Sequence, residues 1–352
     1  MIPIFIASNR TYTGKTFFAL GLAQKLKEMG YKVGYIKPLG KTPVKRGREV
    51  FDADAMIAKE ALSLTDPLEV ISPFVLSYET QHQLYEGRLK EVRRRIMDAF
   101  DSLKDKDFIL VGGAGDFFEG SILDIDALSL IEEMDARVIM VEAWRGDKSI
   151  DTLFGGYKLT GKRFAGGVIN KIPANTYTYV RDTIRPFLER EGVNILGIFR
   201  KDSILESFTV KELSELLNGK VLCCEDRLNE LVENFSIGAM DVDSALNHFR
   251  RIQNKAVITG ANRSDIQLVA METSTKCIIL TGGLYPNDVV LGKAVAKGIP
   301  MISVALDTFS TVDKIEAIMG KTRITEKGKI LRTKELVDTE FDTERFLKII
   351  KG

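Results

Sequence analysis

The segment Asn9-Arg10-Thr11-Tyr12-Thr13-Gly14-Lys15-Thr16 constrains this chain more than any other. It follows a short apolar run, Ile4-Phe5-Ile6. It leads into Thr16 to Met29, where Phe17, Ala19, Leu20, Leu22, Ala23 and Leu26 recur at helical spacing. A strand, a loop ending in Gly-Lys-Thr and a helix form the context of a phosphate-binding P-loop. Backbone N–H groups of such a loop, and of the helix it opens, face an anion. Lys15 is placed to reach the β- and γ-phosphates of a nucleoside triphosphate, and the Thr16 hydroxyl to ligate Mg²⁺. Gly14 allows the backbone to approach closely. The pattern usually opens on glycine; Asn9 stands there, and asparagine enters the left-handed backbone region more readily than most residues. Arg10 supplies a second cation, facing the phosphates or reaching across a dimer interface.

Short apolar runs alternate with amphipathic ones through the first two hundred residues. Val33–Ile36, Phe108–Val111, Val138–Val141, Gly167–Ile169 and Val193–Gly197 read as strands. Their near-continuous apolar character fits a parallel sheet covered on both faces. Helices are expected over Thr16–Met29, Asp54–Leu62, Leu84–Leu103 and Leu123–Met134, with Gly30 as a C-cap. The alternation predicts an α/β fold with a doubly wound, mostly parallel sheet.

A chain of 352 residues exceeds what one core usually supports, so a second domain is expected. A second series begins past Arg200–Phe208. A helix is expected over Thr209–Leu217, opened by a capping-box pattern. Val221–Cys224, Val257–Thr259, Cys277–Leu280 and Met301–Val304 read as strands. Asp265–Glu272 and Asn287–Lys297 read as helices between them. The expected domains are therefore 1–203, a P-loop unit; 204–321, a smaller α/β unit; and 322–352, a tail with a helix over Thr343–Ile350.

Composition excludes several classes. Net charge is +1, so no basic surface speaks for nucleic acid. The runs Lys41–Arg48 and Arg93–Arg95 are short and read as solvated faces, with a phosphate-facing role as the alternative for the first. Cys223, Cys224 and Cys277 are too few for a disulfide framework or a zinc site, and suit a reducing, cytoplasmic setting. His82 and His248 form no metal-ligand pattern. No stretch approaches the roughly 20 apolar residues of a membrane span.

Several strand ends carry chemistry-bearing residues: Tyr35-Ile36-Lys37-Pro38-Leu39, Asp52-Ala53-Asp54-Ala55 and Gly167-Val168-Ile169-Asn170-Lys171-Ile172-Pro173. Together with Thr13–Thr16, these resemble dethiobiotin synthetases and, more fully, the non-catalytic N-terminal region of long phosphotransacetylases, where a DRTGG domain follows the P-loop domain. Val257–Ile266, Thr281-Gly282-Gly283 and Asp307–Thr311 resemble the DRTGG signature. The resemblance implies ATP and Mg²⁺ as cofactors. It implies Lys15 and Lys37 bracketing phosphate and a carboxylate-like substrate, Thr16 and Asp54 on Mg²⁺, and Asn170 on the adenine. The dethiobiotin synthetase metal-binding glutamate has no counterpart, because its position is Gly112. That leaves Asp116 or Glu119 as a substitute, with Gly112 and Gly113 facing phosphate or substrate. In the second unit Arg263, Asp265, Thr281, Gly282 and Gly283 are the candidates, and Asn262 replaces the acidic start of the signature.

Each assignment has a plainer alternative: Lys37 as a solvated strand-end lysine, Asp54 as a helix-start carboxylate, Asn170-Lys171 as a turn, Arg263 and Asp265 as a surface ion pair. The expected function is an ATP- and Mg²⁺-binding protein whose second domain senses a ligand or builds a homo-oligomer, a dimer or larger. Phosphotransacetylase activity is not expected. The alternative is an ATP-dependent ligase that activates a carboxylate.

Overall fold

The computed structural model describes residues 1–47, 49–316 and 327–352. Arg48, in the basic run, and the boundary expected at 321/322 lie outside the described residues. The chain divides into two units, Met1–Asp202 with Arg323–Gly352, and Ser203–Thr322.

The first unit is built on a six-stranded parallel sheet. Its strands are β1 (Ile2–Ala7), β2 (Val33–Ile36), β3 (Phe108–Gly112), β4 (Arg137–Ala143), β5 (Phe164–Ile172) and β6 (Ile195–Arg200), in the order β2-β3-β1-β4-β5-β6. Central strands read as unbroken apolar runs because helices cover both faces; Ile4, Ile6, Ile109 and Leu110 are fully buried. The order reverses at β1, and such switch points open a crevice at the carboxyl edge where ligands sit. The P-loop leaves β1 at that crevice.

Helix α1 (Lys15–Glu28) buries Phe17 to Ala23 without a break, whereas a surface helix buries one stripe. Its second cover comes from the other end of the chain. The helix Lys327–Glu340 lies against α1, and Thr343–Lys351 follows it. A Cβ on Gly21 would meet Val337 Cγ2 at 2.5 Å and the Thr333 carbonyl oxygen at 3.0 Å. Gly21 therefore sets how closely the two helices approach. Phe18 and Phe341 meet edge to face with centroids 5.0 Å apart, Phe341 continues to Phe346, and Lys25 pairs with Asp338 at 2.9 Å. The segment expected as a tail is thus part of the first unit's core, with Val337 and Phe346 fully buried.

The expected helix over Leu84–Leu103 is two helices, Tyr78–Tyr85 and Val92–Asp101. Gly87 and Glu91 both take positive φ between them, which breaks the helical run. Past α1, Gly30 at φ 89° ends the helix as expected, and the Tyr31 N–H returns to the Leu26 carbonyl at 3.1 Å. A hairpin, Pro43–Arg46 with Glu49–Asp52, precedes α2 (Ala53–Ala61).

The second unit holds a five-stranded sheet of β7 (Lys220–Cys223), β8 (Asn234–Ile237), β9 (Lys255–Gly260), β10 (Thr275–Thr281) and β11 (Met301–Ser303), in the order β7-β11-β10-β9-β8. β7 is antiparallel to its neighbour; the rest run parallel. Thr209 caps the helix Val210–Leu217 through the reciprocal pair read from the sequence, Glu212 N–H to Thr209 Oγ1 at 3.0 Å and Thr209 N–H to Glu212 Oε2 at 2.8 Å. The molecule is accordingly α/β throughout, a doubly wound P-loop sheet followed by a smaller α/β unit.

Gly21→Leu is expected to lower the unfolding free energy by about 1–3 kcal/mol, the usual cost of overpacking. Gly155→Ala, at a helical glycine with open space around its Cβ position, is expected to raise it by about 0.5–1 kcal/mol. Urea unfolding of the two variants beside the unaltered chain measures both.

Candidate functional site

The loop between β1 and α1 turns through two left-handed residues, Tyr12 (φ 59°) and Gly14 (φ 99°). Asn9 is not among the positive-φ residues, so the turn does not draw on the left-handed tolerance expected of it. Gly14 is needed twice over. Its φ disfavours a side chain, and a Cβ there would meet Asn170 Nδ2 at 2.2 Å.

Lys15 folds back into its own loop. Its ammonium donates to Ser8 Oγ at 2.5 Å, to the Arg10 carbonyl at 3.0 Å and to the Gly115 carbonyl at 3.2 Å. Burial, and then the neighbouring Lys37 cation, push its pKa down to about 7 against the pull of Glu119 and Asp54. Lys15 is therefore a cation whose charge is easily lost, held where three oxygens converge.

Thr16 Oγ1 donates to Asp54 Oδ2 at 3.0 Å. The same Asp54 oxygen accepts from Lys37, which also lies 3.3 Å from Asp52 Oδ1. Burial works against the Lys37 charge, but Asp54, Tyr35 and Asp52 outweigh it and hold its pKa above the usual value. Lys37 is buried rather than a solvated strand-end residue. Asp54, in the first turn of α2, is not the residue that caps it; Asp52 is. Asp52 Oδ1 accepts from the Asp54 and Ala55 N–H groups, and its Oδ2 accepts from Lys41 and Thr42 N–H. In the sequence Asp52 stands only as the first residue of the helix-opening run; an aspartate one residue before a helix is a standard cap, and this one is fully buried.

The loop after β3 completes this side. A Cβ on Gly112 would meet the Tyr35 hydroxyl at 2.5 Å, and one on Gly113 the Ile6 carbonyl oxygen at 2.6 Å. Tyr35 thus occupies the space a side chain at 112 would need, so an acid cannot stand there without displacing it. Asp116 is committed to its own turn, accepting from Phe118 and Glu119 N–H. Glu119 reaches back to the Gly115 N–H at 2.6 Å and pairs with Lys41. Of the nearby acids it has the largest influence on Lys15.

On the other side, Asn170 Nδ2 donates to the Thr13 carbonyl at 2.9 Å, and its Oδ1 accepts from the Lys171 N–H at 2.9 Å. One strand inward, Glu142 is fully buried at the end of β4. Its Oε1 lies 3.1 Å from Arg145 Nη2 and 3.7 Å from Arg10 Nη2. Burial raises its pKa despite both arginines. Arg10 Nη2 also donates to the Ala143 carbonyl at 2.9 Å, so this loop cation is tied down within the chain. The long-range tie from Arg10 to Glu142 has no local sequence signal. Thr11 and Tyr12 are exposed at the loop tip and Thr13 is buried beneath it.

In the second unit, Arg263 forks onto Asp265, with both N···O distances 3.0 Å, and donates to the Met240 carbonyl at 2.9 Å. Thr281 Oγ1 meets Thr308 Oγ1 at 2.9 Å. Gly282 and Gly283, both at positive φ, donate to the Leu306 and Val304 carbonyls. These residues stand at the carboxyl ends of the adjacent strands β9 and β10 or just beyond them.

Among the described residues no group of three or more His, Cys, Asp or Glu is placed to hold a metal, and no helix is long and apolar enough to cross a membrane. A hard cation at the P-loop would rest on Thr16 and Asp54 and complete its shell with non-protein oxygens, which is how Mg²⁺ is commonly held.

A P-loop at the switch point of a parallel sheet, with a second α/β unit in the same chain, defines the class. The chain belongs to the family described as AAA domain, whose model matches residues 3–208. A DRTGG domain is matched over residues 212–318. Phosphate acetyltransferase of Pseudomonas aeruginosa is 24% identical over 373 residues, covering 98% of this chain and 51% of that protein. ATP-dependent dethiobiotin synthetase of Methanocaldococcus jannaschii is 34% identical over 119 residues, covering 32% of this chain and 52% of that one. The solved CBS and DRTGG domains of the regulatory region of Clostridium perfringens pyrophosphatase, complexed with the activator diadenosine tetraphosphate, align at 22% identity with a TM-score of 0.29, covering 34% of this chain and 51% of that one. The chain spans about half the length of the phosphate acetyltransferases it matches.

Lys15 titrates near 7 in the fold but near 10.4 when unfolded. The unfolded chain then binds the extra proton between those values, so this residue makes stability rise with pH from about 7 to about 10. Lys15→Met is expected to flatten that rise, as read from urea midpoints measured across the window.

Proposed function

We propose that the first unit binds ATP with Mg²⁺ and that the second senses a small ligand or joins copies of the chain, so that the whole is a regulatory nucleotide-binding protein. The acetyl transfer named for the longer relatives is not part of this reading. The observation that carries it is the chain of contacts from Thr16 through Asp54 to Lys37 at the carboxyl edge of β1 and β2, beside the Lys15 ammonium held by Ser8 and the loop carbonyls.

In this reading Lys15 turns from the loop carbonyls to the phosphates, and anion binding restores the proton that burial has loosened. The N–H groups at the start of α1 face the same phosphates. Thr16 and Asp54 supply oxygens to Mg²⁺, which neutralises phosphate charge when bound. Glu119, rather than residue 112, is the carboxylate that balances Lys15 from the β3 loop. Asn170 holds the P-loop through Thr13 and keeps a lone pair and an N–H for the base. Lys37 is shared by two carboxylates, so little of its charge is left for a substrate carboxylate. That favours binding over carboxylate activation.

Calorimetric titration with Mg·ATP tests the reading. Affinity is expected to fall roughly 10- to 100-fold in Lys15→Ala, the weight of one charge-assisted hydrogen bond. It is also expected to decline as pH rises above 7 and Lys15 loses its charge. Absence of binding by ATP and by a non-hydrolysable analogue would sink the proposal. Fast ADP release stimulated by a carboxylic acid would replace it with the carboxylate-activating ligase.

A further inference from the structure

Cys223 and Cys224 have no part in the P-loop chemistry, yet their geometry is unusual. Neighbouring side chains on a strand point to opposite faces. Here two irregularities undo that rule. The pairing of β7 with β11 shifts between Val221 and Cys223. Cys224, the next residue, takes the left-handed conformation at φ 58° and ψ 47°, which is uncommon for a side chain other than Asn, Asp or Gly.

The result is that both sulfurs face the end of one helix, Asp288–Lys297, and the turn that follows it. Cys224 Sγ donates to the Ala294 carbonyl at 3.8 Å and Cys223 Sγ to the Ile299 carbonyl at 3.6 Å. Their two acceptor residues are themselves joined, the Ile299 N–H donating to the Ala294 carbonyl at 3.0 Å. Both are half-exposed, whereas Cys277 is buried. Cys224 opens onto a cleft of about 510 Å³ whose walls include Arg227, Lys297 and Gly298.

What could occupy two such sulfurs is limited. A structural zinc ion wants four ligands, and no group of three metal-binding side chains exists among the described residues. A disulfide usually spans Cα atoms roughly 4.4–6.8 Å apart, and adjacent residues stand only about 3.8 Å apart. A larger thiophilic atom, bound by both sulfurs and needing no third protein ligand, fits the pair.

We propose that Cys223 and Cys224 form a dithiol site for a trivalent arsenical, bound through both sulfurs. With an aryl arsenoxide, two As–S bonds replace the As=O bond. Both thiol protons leave on the oxide oxygen as one water, and arsenic stays trivalent. Burial and the adjacent Cys223 push the Cys224 thiol up to about 11, so at neutral pH it is protonated. Alkylation of Cys224, which needs thiolate, is then slow, while the condensation takes up its proton in the water it releases.

The reduced full-length chain is titrated with phenylarsine oxide and read by intact mass and peptide mapping. One equivalent per chain is expected, carried on Cys223 and Cys224 together, removed by a dithiol and resistant to a monothiol. Cys223→Ser and Cys224→Ser are each expected to bind at least roughly 100-fold more weakly, since each loses the second attachment. Cys277→Ser should bind as the unaltered chain does. Uptake undiminished in Cys224→Ser, or an adduct mapped to Cys277, would overturn the proposal. The two single serine variants and the dithiol displacement are independent readouts, so a folding defect in one variant leaves the proposal open to refutation by the others.

Discussion

A buried ammonium must be met by carboxylates or give up its charge. Lys37 is met by two, Asp52 and Asp54. That need organises the P-loop side of the first unit. It joins the end of β2 to the start of α2, because Asp52 is both the partner of Lys37 and the cap of α2. It also joins α2 to α1, because Asp54 accepts from Thr16. Removing Asp52 would leave a buried cation short of a partner and a helix without its cap. Lys15, at the start of α1, is handled differently. It is met by carbonyl and hydroxyl oxygens only, and its pKa falls to about 7. One lysine is fixed and the other is loosely charged.

The acidic side of the site follows from steric exclusion. Tyr35 fills the space beyond Gly112, and the loop's carboxylate on the Lys15 side is Glu119, tied to the Gly115 N–H and to Lys41. The tight turn at Asp116 is what returns Glu119 toward Lys15. On the opposite side Glu142 draws Arg10 and Arg145 together, so the loop's second cation is anchored to the sheet.

Much of this was legible in the residues. Apolar runs such as Phe108–Val111 announced buried parallel strands, and Thr13–Thr16 between a strand and a helix announced the loop. The Thr209–Glu212 capping pair could be read from two residues at the right spacing. Illegible parts share a cause: they depend on partners distant in sequence. Glu142 with Arg10 gives no local pattern, nor does Tyr35 against Gly112. The short strand Asn234–Ile237 carries too little apolar periodicity to stand out, and the helix Lys327–Glu340 is too charged to look like a core element. That helix is amphipathic only in relation to α1, and Gly21, an ordinary glycine within a helix, gives no hint that it marks a contact.

That contact has a kinetic side. α1 follows the first strand in the chain, but the helix that covers its outer face is made only after the second unit. During synthesis the first unit would carry an uncovered face of α1 while the whole second unit emerges. Contacts between such distant segments close slowly, because a long loop must be ordered before they form. Exposed apolar surface during that interval is where association with other chains begins. The second unit can complete its own sheet from local segments alone, so the earlier-made unit is the one that must wait.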